Sequence, residues 1–492
     1  MSSQTNGGTS HWDLVVIGSG PAGTRAAIQA AKSGKRVVVV EAYSKLGGGC
    51  VHLGTLPSKS FRESVYRWSL GSQGQLGQVL NPGERKLKKD TFFSKSGVVL
   101  PDMARLLQRT ARVIQKETEI VTNQYARNDV TVLHGCARFV SSTEVEVRTE
   151  KETVRLKSDR FVIATGAGPI APSNVPVDGE RVFDSDTILS LKQTPERLVV
   201  LGAGVIGCEY ASMFSMAGTK VTLIDRRDRI LASVDREIVD HLVERFEDFN
   251  MDIILKCETQ QIVVEKKPDG VVLKLPTGQT LEADGVLVAL GRAGKVEGLG
   301  LKEVGVVHDD RGTIKVDKEF QTTVPGIFAC GDVVGSPALA ATSMEQGRIA
   351  SISAFRESYV GKHSFPEIYP VGVYTIPEIS TVGLTEEEVK AKGIEYVIGR
   401  GRYKEVARGQ IVGDPWGLLK LVVEKKTLKL LGVHIIGDNA AELVHIGQAV
   451  MTLGGNVEYF IKNVFNYPTH AEAYKSAAFH AVNQIHGRTK SL

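Results

Sequence analysis

One pattern occurs twice in this chain and constrains its fold more than any other sequence feature. Each copy is a short apolar run, a turn of the form G-x-G-x-x-G, a helical stretch, a second apolar run and an acidic residue. The apolar runs are residues 14–17 and 36–40 in the first copy, and residues 198–201 and 220–224 in the second. Such a unit predicts a parallel sheet covered by helices, with a dinucleotide bound at the turn. Two copies predict two dinucleotide sites.

The first copy carries Gly18, Gly20 and Gly23 in its turn and ends on Glu41. The first glycine permits a tight turn, the second lets the backbone approach a pyrophosphate, and the third lets the helix pack on the strand. The phosphates are then expected at the helix N-terminus, where free N–H groups and the helix dipole favour anions. We expect Glu41 to accept hydrogen bonds from a ribose hydroxyl.

The second copy has the same spacing as the first, but the residues around its terminal acid differ. Its glycines are Gly202, Gly204 and Gly207. Asp225 follows the first of them by 23 residues, as Glu41 follows Gly18. An acid here suits the free 2′-hydroxyl of NAD, whereas Arg226 and Arg227 suit the 2′-phosphate of NADP. This mixed pattern indicates a site that accepts both nucleotides, and the alternative is an exposed turn with solvated arginines.

Composition narrows the classes of function. The length of 492 residues predicts about three domains. The net charge of +4 is small, and no basic stripe interleaved with aromatic residues suggests nucleic-acid binding. No apolar run approaches the ~18 residues of a membrane span. The first 11 residues carry no secretion or organelle-targeting pattern, so we expect a cytoplasmic protein. The five cysteines are odd in number and include no C-x-x-C, so neither a disulfide framework nor a metal site is expected.

Residues 47–59, with the sequence GGGCVHLGTLPSK, carry the chemistry. They resemble the active-site signature of the flavin- and pyridine-nucleotide-dependent disulfide oxidoreductases, in which two cysteines five residues apart form a redox disulfide beneath the flavin. Here Cys50 is present and Thr55 stands in the second position. One sulfur cannot form an intramolecular disulfide, so we expect no electron transfer through a dithiol. An equally open interpretation of Cys50 is a small buried apolar residue.

The resemblance covers nearly the whole chain and implies a glutathione reductase-like fold. This is an α/β fold with two Rossmann-like, three-layer ββα domains, one for FAD and one for NAD(P), and an α+β C-terminal dimerisation domain. The implied segments are residues 1–165 and 292–365 for the FAD-binding domain, 166–291 for the NAD(P)-binding domain and 366–492 for the dimerisation domain. A homodimer or larger homo-oligomer is therefore expected.

The resemblance also assigns nucleotide-binding residues. Residues 161–166, ending in Ala-Thr-Gly, resemble the strand that closes the flavin domain, and residues 323–332 resemble the second flavin motif, whose aspartate hydrogen-bonds the ribityl chain. The implied FAD-binding residues are Gly18, Gly20, Gly23, Glu41, Gly49, Lys59, Thr165, Gly166 and Asp332. The implied NAD(P)-binding residues are Gly202, Gly204, Gly207, Glu209, Asp225, Arg226, Arg227 and Gly291.

Lys59 and Glu209 are the catalytic candidates. The resemblance places Glu209 against the nicotinamide and pairs it with Lys59, whose charge near flavin N5 would favour the negative charge of the reduced flavin. In the C-terminal domain Tyr467 replaces the histidine that serves as acid and base in thiol chemistry, while Glu472 remains. The further possible contributors are Cys50, Thr55, Tyr467 and Glu472. No metal ligand is predicted.

Members of this family without the disulfide move a hydride from NADPH to the flavin, release NADP, and pass the hydride to NAD at the same site. The resemblance implies this ping-pong reaction here, with the protein positioning the nicotinamide. Three alternatives stay open. One is a diaphorase or peroxide reductase with Cys50 as a sulfenic acid centre. Another is a disulfide reductase that recruits a second thiol, although no cysteine follows Cys330. The third is a non-catalytic regulatory flavoprotein.

Local patterns give further expectations. Residues 70–98 lose periodicity and form an expected surface insertion of unassigned role. The apolar spacing over residues 103–127 predicts a long amphipathic helix. Four alternating runs between residues 130 and 156 predict an antiparallel meander.

Overall fold

The structure is a computed structural model that describes residues 10–72, 100–356 and 364–488. Most of the expected insertion at residues 70–98 lies outside these residues. The chain forms two compact units, each built from three segments. Unit 1 comprises Met1–Ser60, Gln108–Ile170 and Gly291–Pro366, and unit 2 comprises Phe61–Leu107, Ala171–Leu290 and Glu367–Leu492. The domain limits implied by the resemblance stay a prediction.

The helices and strands are numbered in chain order. The helices are α1 (Pro21–Lys32), α2 (Gly48–His52), α3 (Thr55–Ser72), α4 (Met103–Arg127), α5 (Val205–Met216), α6 (Arg236–Asp248), α7 (Ala340–Phe355), α8 (Glu386–Ala391), α9 (Ala407–Val412), α10 (Ala440–Thr452), α11 (Glu458–Lys462) and α12 (Glu472–Ile485). The strands are β1 (Ser10–Trp12), β2 (Leu14–Ile17), β3 (Val37–Glu41), β4 (Thr131–His134), β5 (Cys136–Ser141), β6 (Glu144–Arg148), β7 (Thr153–Ser158), β8 (Phe161–Ile163), β9 (Ala167–Pro169), β10 (Val182–Asp184), β11 (Arg197–Leu201), β12 (Lys220–Ile224), β13 (Asp252–Ile254), β14 (Val263–Lys267), β15 (Gly270–Lys274), β16 (Thr280–Ala283), β17 (Gly285–Val288), β18 (Arg292–Gly294), β19 (Ile327–Ala329), β20 (Val371–Val373), β21 (Ile379–Gly383), β22 (Tyr396–Arg402), β23 (Leu418–Glu424) and β24 (Leu430–Ile436).

Unit 1 is built on a parallel sheet of order β19-β8-β2-β3-β4. Every residue of β2 and β3 is buried, as expected for parallel strands covered on both faces. Leu14 and Val16 of β2 pack with Ala26 of α1 and Ile349 of α7. The alternate residues of β2 pack instead against the β5–β7 meander. Helices, parallel sheet and meander therefore form the predicted three layers.

The interpretation of β4 as part of the meander was wrong. β4 pairs in parallel with β3, with Thr131 opposite Val38, whereas β5, β6 and β7 form the antiparallel meander. Gly135 separates the two sheets, and its N–H donates to the Glu41 carbonyl at 2.9 Å. A Cβ at Gly135 would lie 2.7 Å from the Arg148 carbonyl oxygen. This close approach lets the chain leave one sheet and enter the next.

Unit 2 repeats this architecture and adds a C-terminal sheet. Its parallel sheet has the order β10-β17-β11-β12-β13, and β14, β15 and β16 form an antiparallel sheet. Val200 of β11 packs with Phe214 of α5, whereas Val199 packs with Leu273 of β15. The C-terminal sheet has the order β20-β21-β24-β23-β22. It contains the hairpin of β23 with β24 and packs against α10 and α12.

Candidate functional site

The first glycine-rich turn has the shape that a bound pyrophosphate requires. Gly18 has a φ of 105°, and a Cβ there would collide with the Ala164 carbonyl. A Cβ at Gly23 would collide with the Gly18 carbonyl, so this glycine lets α1 pack closely. At Gly20 no described atom lies within 4 Å of the position that a Cβ would occupy. The backbone at Gly20 is therefore open on one side to a ligand.

The N-terminus of α1 supplies donors to that opening. Gly20 is the N-cap residue, Pro21 begins the helix, and no side-chain cap occurs here among the described residues. Glu41 is buried, and its Oε2 accepts hydrogen bonds from the N–H and hydroxyl of Ser19 at 2.8 and 2.6 Å. The N–H of Tyr43 donates to Oε1 at 2.9 Å. This arrangement fits a dinucleotide with its pyrophosphate at the helix N-terminus.

The loop that carries Cys50 packs against this turn. The Gly47 N–H donates to the Ser19 hydroxyl at 3.0 Å, and a Cβ at Gly48 would lie 2.7 Å from the Gly20 Cα. Sequence reasoning missed the short helix α2 that holds Cys50, because five residues are too few to show helical periodicity. The glycines thus bring the cysteine next to the dinucleotide turn.

Cys50 is half-buried and interacts with the residue that replaces its partner. Burial raises the pKa of the Cys50 thiol, a hydrogen bond with Thr55 opposes that rise, and the Asp332 carboxylate adds to it. The raised pKa keeps this sulfur a neutral thiol at pH 7, and a neutral thiol is a poor nucleophile. Lys59 also acts on Cys50 electrostatically, and its Nζ donates to the Ser58 hydroxyl at 3.3 Å.

The remaining flavin candidates also lie in unit 1. Thr165 Oγ1 is buried and finds no hydrogen-bond partner in the part of the chain that the structure describes, so it suits a polar atom of a ligand. Gly166, beside it, has a φ of 71°. Asp332 Oδ1 accepts a hydrogen bond from the Ser343 hydroxyl at 3.2 Å. At Gly49, as at Gly20, no described atom approaches the Cβ position within 4 Å.

The second turn reproduces the first. A Cβ at Gly202, with a φ of 106°, would collide with the Ala289 carbonyl, and one at Gly207 would collide with the Gly202 carbonyl. Gly204 is the N-cap of α5, again with no side-chain cap within the described ranges. These features fit a second dinucleotide. Gly291, assigned to the same nucleotide by the sequence, lies in unit 1 with a φ of 137°.

Asp225 and Arg227 form a tight ion pair at the end of β12. The Arg227 Nε and Nη2 donate to the two carboxylate oxygens at 2.8 and 2.7 Å, and the Arg227 N–H adds a third bond at 2.8 Å. Burial would raise the pKa of Asp225, but the hydrogen bonds from Arg227 outweigh it and hold that pKa below 3.8. Arg226 is exposed, and Arg229 pairs with Glu387 at 3.2 Å.

Glu209 on α5 is buried, with 3% of its surface exposed. Its Oε1 accepts a hydrogen bond from the Tyr374 N–H at 2.8 Å, and nearby the Ile376 N–H donates to the Ser212 hydroxyl at 3.1 Å. Sequence reasoning missed Tyr374 and Ile376, because backbone donors carry no sequence signal. The Lys59–Glu209 pair stays a prediction.

Two family models match the chain. The model described as pyridine nucleotide-disulphide oxidoreductase covers residues 12–347, and that family's dimerisation domain covers residues 369–478. This chain belongs to the pyridine nucleotide-disulphide oxidoreductase family. The family expected from residues 47–59 is therefore confirmed, as is its glutathione reductase-like fold.

Curated relatives and solved structures agree with this membership. The chain is 46% identical to the soluble pyridine nucleotide transhydrogenase of Mycobacterium bovis, over 96% of this chain and 98% of that one. It is 42% identical to the protein of the same name in Pseudomonas aeruginosa, over 96% and 99%. The Cu(II) complex of the HOCl-induced flavoprotein disulfide reductase RclA from Escherichia coli superposes with a TM-score of 0.83 at 26% identity, covering 96% and 99%. LpdA from Mycobacterium tuberculosis has a similar fold, with a TM-score of 0.84 at 24% identity and coverage of 96% and 99%.

The C-terminal region of this member of the pyridine nucleotide-disulphide oxidoreductase family holds the remaining candidates, Tyr467 and Glu472. Tyr467 is 74% exposed. Glu472 begins α12, and its Oε2 is buried without a hydrogen-bond partner among residues that the structure describes. His470 is buried and stacks on Tyr403 with ring centroids 4.3 Å apart. Burial lowers the pKa of His470 against the opposing effect of the Asp438 carboxylate.

The described residues also lack a metal-binding cluster and a membrane-spanning helix. Across residues 10–72, 100–356 and 364–488, no group of three or more His, Cys, Asp and Glu side chains is placed to hold a metal ion. No helix formed by the described residues has the length and apolar character to cross a membrane.

Proposed function

We propose that this chain is a FAD-dependent soluble pyridine nucleotide transhydrogenase, which moves a hydride between NADPH and NAD without a disulfide. The observation that carries the proposal is the threonine at position 55, where the motif of residues 47–59 would need a second cysteine, together with the free state of Cys50. Its curated relatives at 42–46% identity carry the same name.

FAD is assigned to the first dinucleotide site, where it supplies a group that accepts and returns a hydride. The proposed binding residues are Gly18, Gly20, Gly23, Glu41, Gly49, Lys59, Thr165, Gly166 and Asp332. The helix N-terminus of α1 binds the pyrophosphate, and Glu41 binds the ribose. Thr165 Oγ1, buried without a partner among the described residues, would then gain a hydrogen bond.

Glu209 positions the nicotinamide. Its carboxylate is fixed by the Tyr374 N–H and is screened from water, so its orientation does not depend on the substrate. We propose that Lys59 pairs with it and supplies positive charge on the side where electron density develops during transfer.

One nucleotide site must accept NADPH and NAD in turn, since a ping-pong exchange uses the same position twice. The three residues directly after β12 suit this alternation: Asp225, Arg226 and Arg227. The dimerisation domain indicates a homo-oligomer, which we propose is at least a homodimer. We place the enzyme in the cytoplasm, where reduced thiols persist, because Cys50, Cys136, Cys208, Cys257 and Cys330 are all free.

A peroxide reductase based on Cys50 is less well supported. Attack on a peroxide requires the thiolate, and the raised pKa of Cys50 disfavours that form at neutral pH. Disulfide reduction needs a second sulfur near Cys50, whereas the second position of the motif holds Thr55.

An anaerobic assay with NADPH and thionicotinamide adenine dinucleotide tests the proposal, because the reduced analogue absorbs at a distinct wavelength. We expect one analogue to be reduced for each NADPH oxidised, with initial rates that give parallel double-reciprocal lines. Glutathione disulfide and hydrogen peroxide in place of the analogue should support little turnover. Peroxide or disulfide turnover that exceeds analogue reduction would overturn the proposal.

A further inference from the structure

We infer that Arg227 sets the nucleotide preference of the second site by neutralising Asp225, and that Arg226 is the arginine that binds the 2′-phosphate. This inference rests on the proposed function, because it concerns how one site accepts both NAD and NADP. It assigns different roles to two arginines that the sequence alone treats as equivalent.

The geometry of the pair carries the inference. Asp225 is 3% exposed, and its two oxygens already receive four hydrogen bonds, three from Arg227 and one from the Ala203 N–H at 2.6 Å. The Arg227 Nη2 lies 3.9 Å from the position of a Cβ at Gly204, so the guanidinium lies beside the phosphate-binding turn. The charge of the carboxylate is therefore balanced at the place where a ribose must bind.

The first dinucleotide site shows the opposite arrangement. Glu41 occupies the equivalent position, but its donors are the N–H and hydroxyl of Ser19 and the N–H of Tyr43, which are all neutral. None of these donors to Glu41 carries a positive charge, which suits a ribose with free hydroxyls. The two sites therefore differ in that Asp225 is paired with Arg227, whereas the donors to Glu41 are uncharged.

A bare carboxylate at position 225 would repel a 2′-phosphate, because like charges a few ångströms apart in a partly buried site interact strongly. Direct binding of the phosphate by Arg227 through Nε and Nη2 would require it to leave Asp225. That movement would strand a buried, unpaired carboxylate, which is costly. Arg226 is adjacent and, like Arg227, exposed, and in this proposal it binds the phosphate while Arg227 stays paired with Asp225.

The test measures binding of two probes to the FAD-loaded protein by titration calorimetry: ADP-ribose and 2′-phospho-ADP-ribose. In Arg227→Ala we expect binding of the phosphorylated probe to weaken at least about tenfold, while ADP-ribose binds as well as before or better. In the double variant Asp225→Asn with Arg227→Ala, binding of the phosphorylated probe should return to within about threefold of wild type. A double variant as weak as Arg227→Ala would overturn the inference, because a direct phosphate ligand cannot be restored by removing Asp225.

Matched variants separate the two arginines. Arg226→Ala should also weaken the phosphorylated probe at least about tenfold, but adding Asp225→Asn should not restore it to wild type. Arg227→Lys keeps a positive charge but loses the two-point pairing of the guanidinium with Asp225, so it should bind the phosphorylated probe more tightly than Arg227→Ala does. A loss as large as that in Arg227→Ala would contradict a neutralising role.

The wild-type titrations distinguish this inference from the proposed function. A wild-type protein that binds ADP-ribose but not its phosphorylated form would overturn both, since it could not use NADPH. A wild-type protein that binds both probes, with no recovery in the double variant, would overturn the inference alone.

Discussion

At the scale of single residues, the chemistry is decided by what stands near Cys50. Burial raises the pKa of the Cys50 thiol, and Thr55 stands at the second position of the motif. The family resemblance places Tyr467, which is exposed to solvent, where thiol chemistry would use a histidine. Both replacements remove parts of one mechanism, so both agree with the proposed hydride transfer without sulfur.

We expect Cys50 to be alkylated slowly by iodoacetamide at pH 7, because the thiolate reacts and burial disfavours it. Exposed Cys136 is the control within the same molecule. Mass spectrometry of the labelled peptides gives both rates. The Cys50 rate should keep rising above pH 9.0, the ordinary thiol pKa. A Cys50 that outpaces Cys136 at neutral pH would indicate an activated thiol.

The sequence predicted the residues of both nucleotide turns because their roles follow from local backbone geometry. A tight turn, a close approach and a terminal acid are all encoded within about 25 residues of chain. It could not predict the bond between Glu209 and the Tyr374 N–H, whose partners are 165 residues apart in sequence. Nor could it predict that Arg227 folds back on Asp225, since a solvent-facing rotamer is equally compatible with the sequence.

At the scale of elements, a buried lysine joins three parts of unit 2. Lys420 of β23 is 1% exposed, and its Nζ lies 2.9 Å from Asp235 and 3.0 Å from Glu237, beside Glu386. Asp235 caps α6, and its other oxygen accepts a hydrogen bond from the Glu386 N–H at 3.1 Å. The starts of α6 and α8 are thereby anchored to the C-terminal sheet. Within the strand sequence LLKLVVE this lysine resembles any outward-facing polar residue, so its burial could not be predicted from the strand alone.

Lys420→Met should lower the free energy of unfolding by roughly 3–5 kcal/mol, because it leaves carboxylates buried without their cation. Denaturant unfolding followed by circular dichroism measures the change. Lys462→Met is the control, since that lysine is exposed and pairs only with Glu458 on the same helix face. The control should cost less than about 0.5 kcal/mol. Equal effects in the two variants would contradict a structural role for the buried cluster.

The cluster around Lys420 should also make the stability of the fold depend on pH in the acidic range. Burial would raise the pKa values of Asp235 and Glu237, but neighbouring basic side chains outweigh it. These are chiefly His434 and Lys420 at Asp235, and Arg400 and Lys420 at Glu237. The pKa of Asp235 therefore lies below the ordinary 3.8, and that of Glu237 below the ordinary 4.5. Lowered carboxyl pKa values stabilise the fold above the unfolded pKa values, and this stabilisation is lost as pH falls through the folded ones. The stability advantage of wild type over Lys420→Met should therefore shrink between about pH 5 and about pH 3. An advantage that grows with acid would contradict this sign.

Helices and strands were predicted correctly where the burial of their side chains agrees with the apolar periodicity of the sequence. Strands β2 and β12 and helix α4 have the bounds expected from their apolar patterns. The prediction for β4 was wrong because a four-residue strand pairs equally well with either neighbouring sheet, and only the turn at Gly135 decides. Short elements are placed by tertiary contacts that the local sequence does not specify.

At the scale of the whole molecule, the dimerisation domain indicates a homo-oligomer. Val464 is 92% exposed and Leu453 86% exposed, and both lie in the region matched by that domain. We therefore predict that these two side chains lie at the subunit interface.

Val464→Asp should raise the dissociation constant of the homo-oligomer at least about tenfold, since it places an unpaired charge in an apolar interface. Analytical ultracentrifugation over a range of concentrations measures it. Val263→Asp is the matched control, because Val263 is 48% exposed but lies outside the dimerisation region. Dissociation by the control, or an unchanged constant in Val464→Asp, would assign the interface to another surface.

The last property of the whole molecule is the number of electrons that it takes up per bound FAD. Cys50 contacts a hydroxyl, whereas Cys208, Cys257 and Cys330 are buried and Cys136 is exposed. With no dithiol to reduce, one two-electron equivalent of dithionite per FAD should bleach the bound cofactor fully under anaerobic conditions.

Two variants calibrate that titration. Cys50→Ser should need the same single equivalent and keep most of its transhydrogenase rate, because the proposed hydride route uses no sulfur. Thr55→Cys supplies the second sulfur of the motif, and once a disulfide has formed a second equivalent should be required. Without a histidine at Tyr467, that variant should still lack disulfide reductase activity. A wild-type protein that takes up two equivalents, or that loses activity in Cys50→Ser, would show that sulfur carries electrons in this enzyme after all.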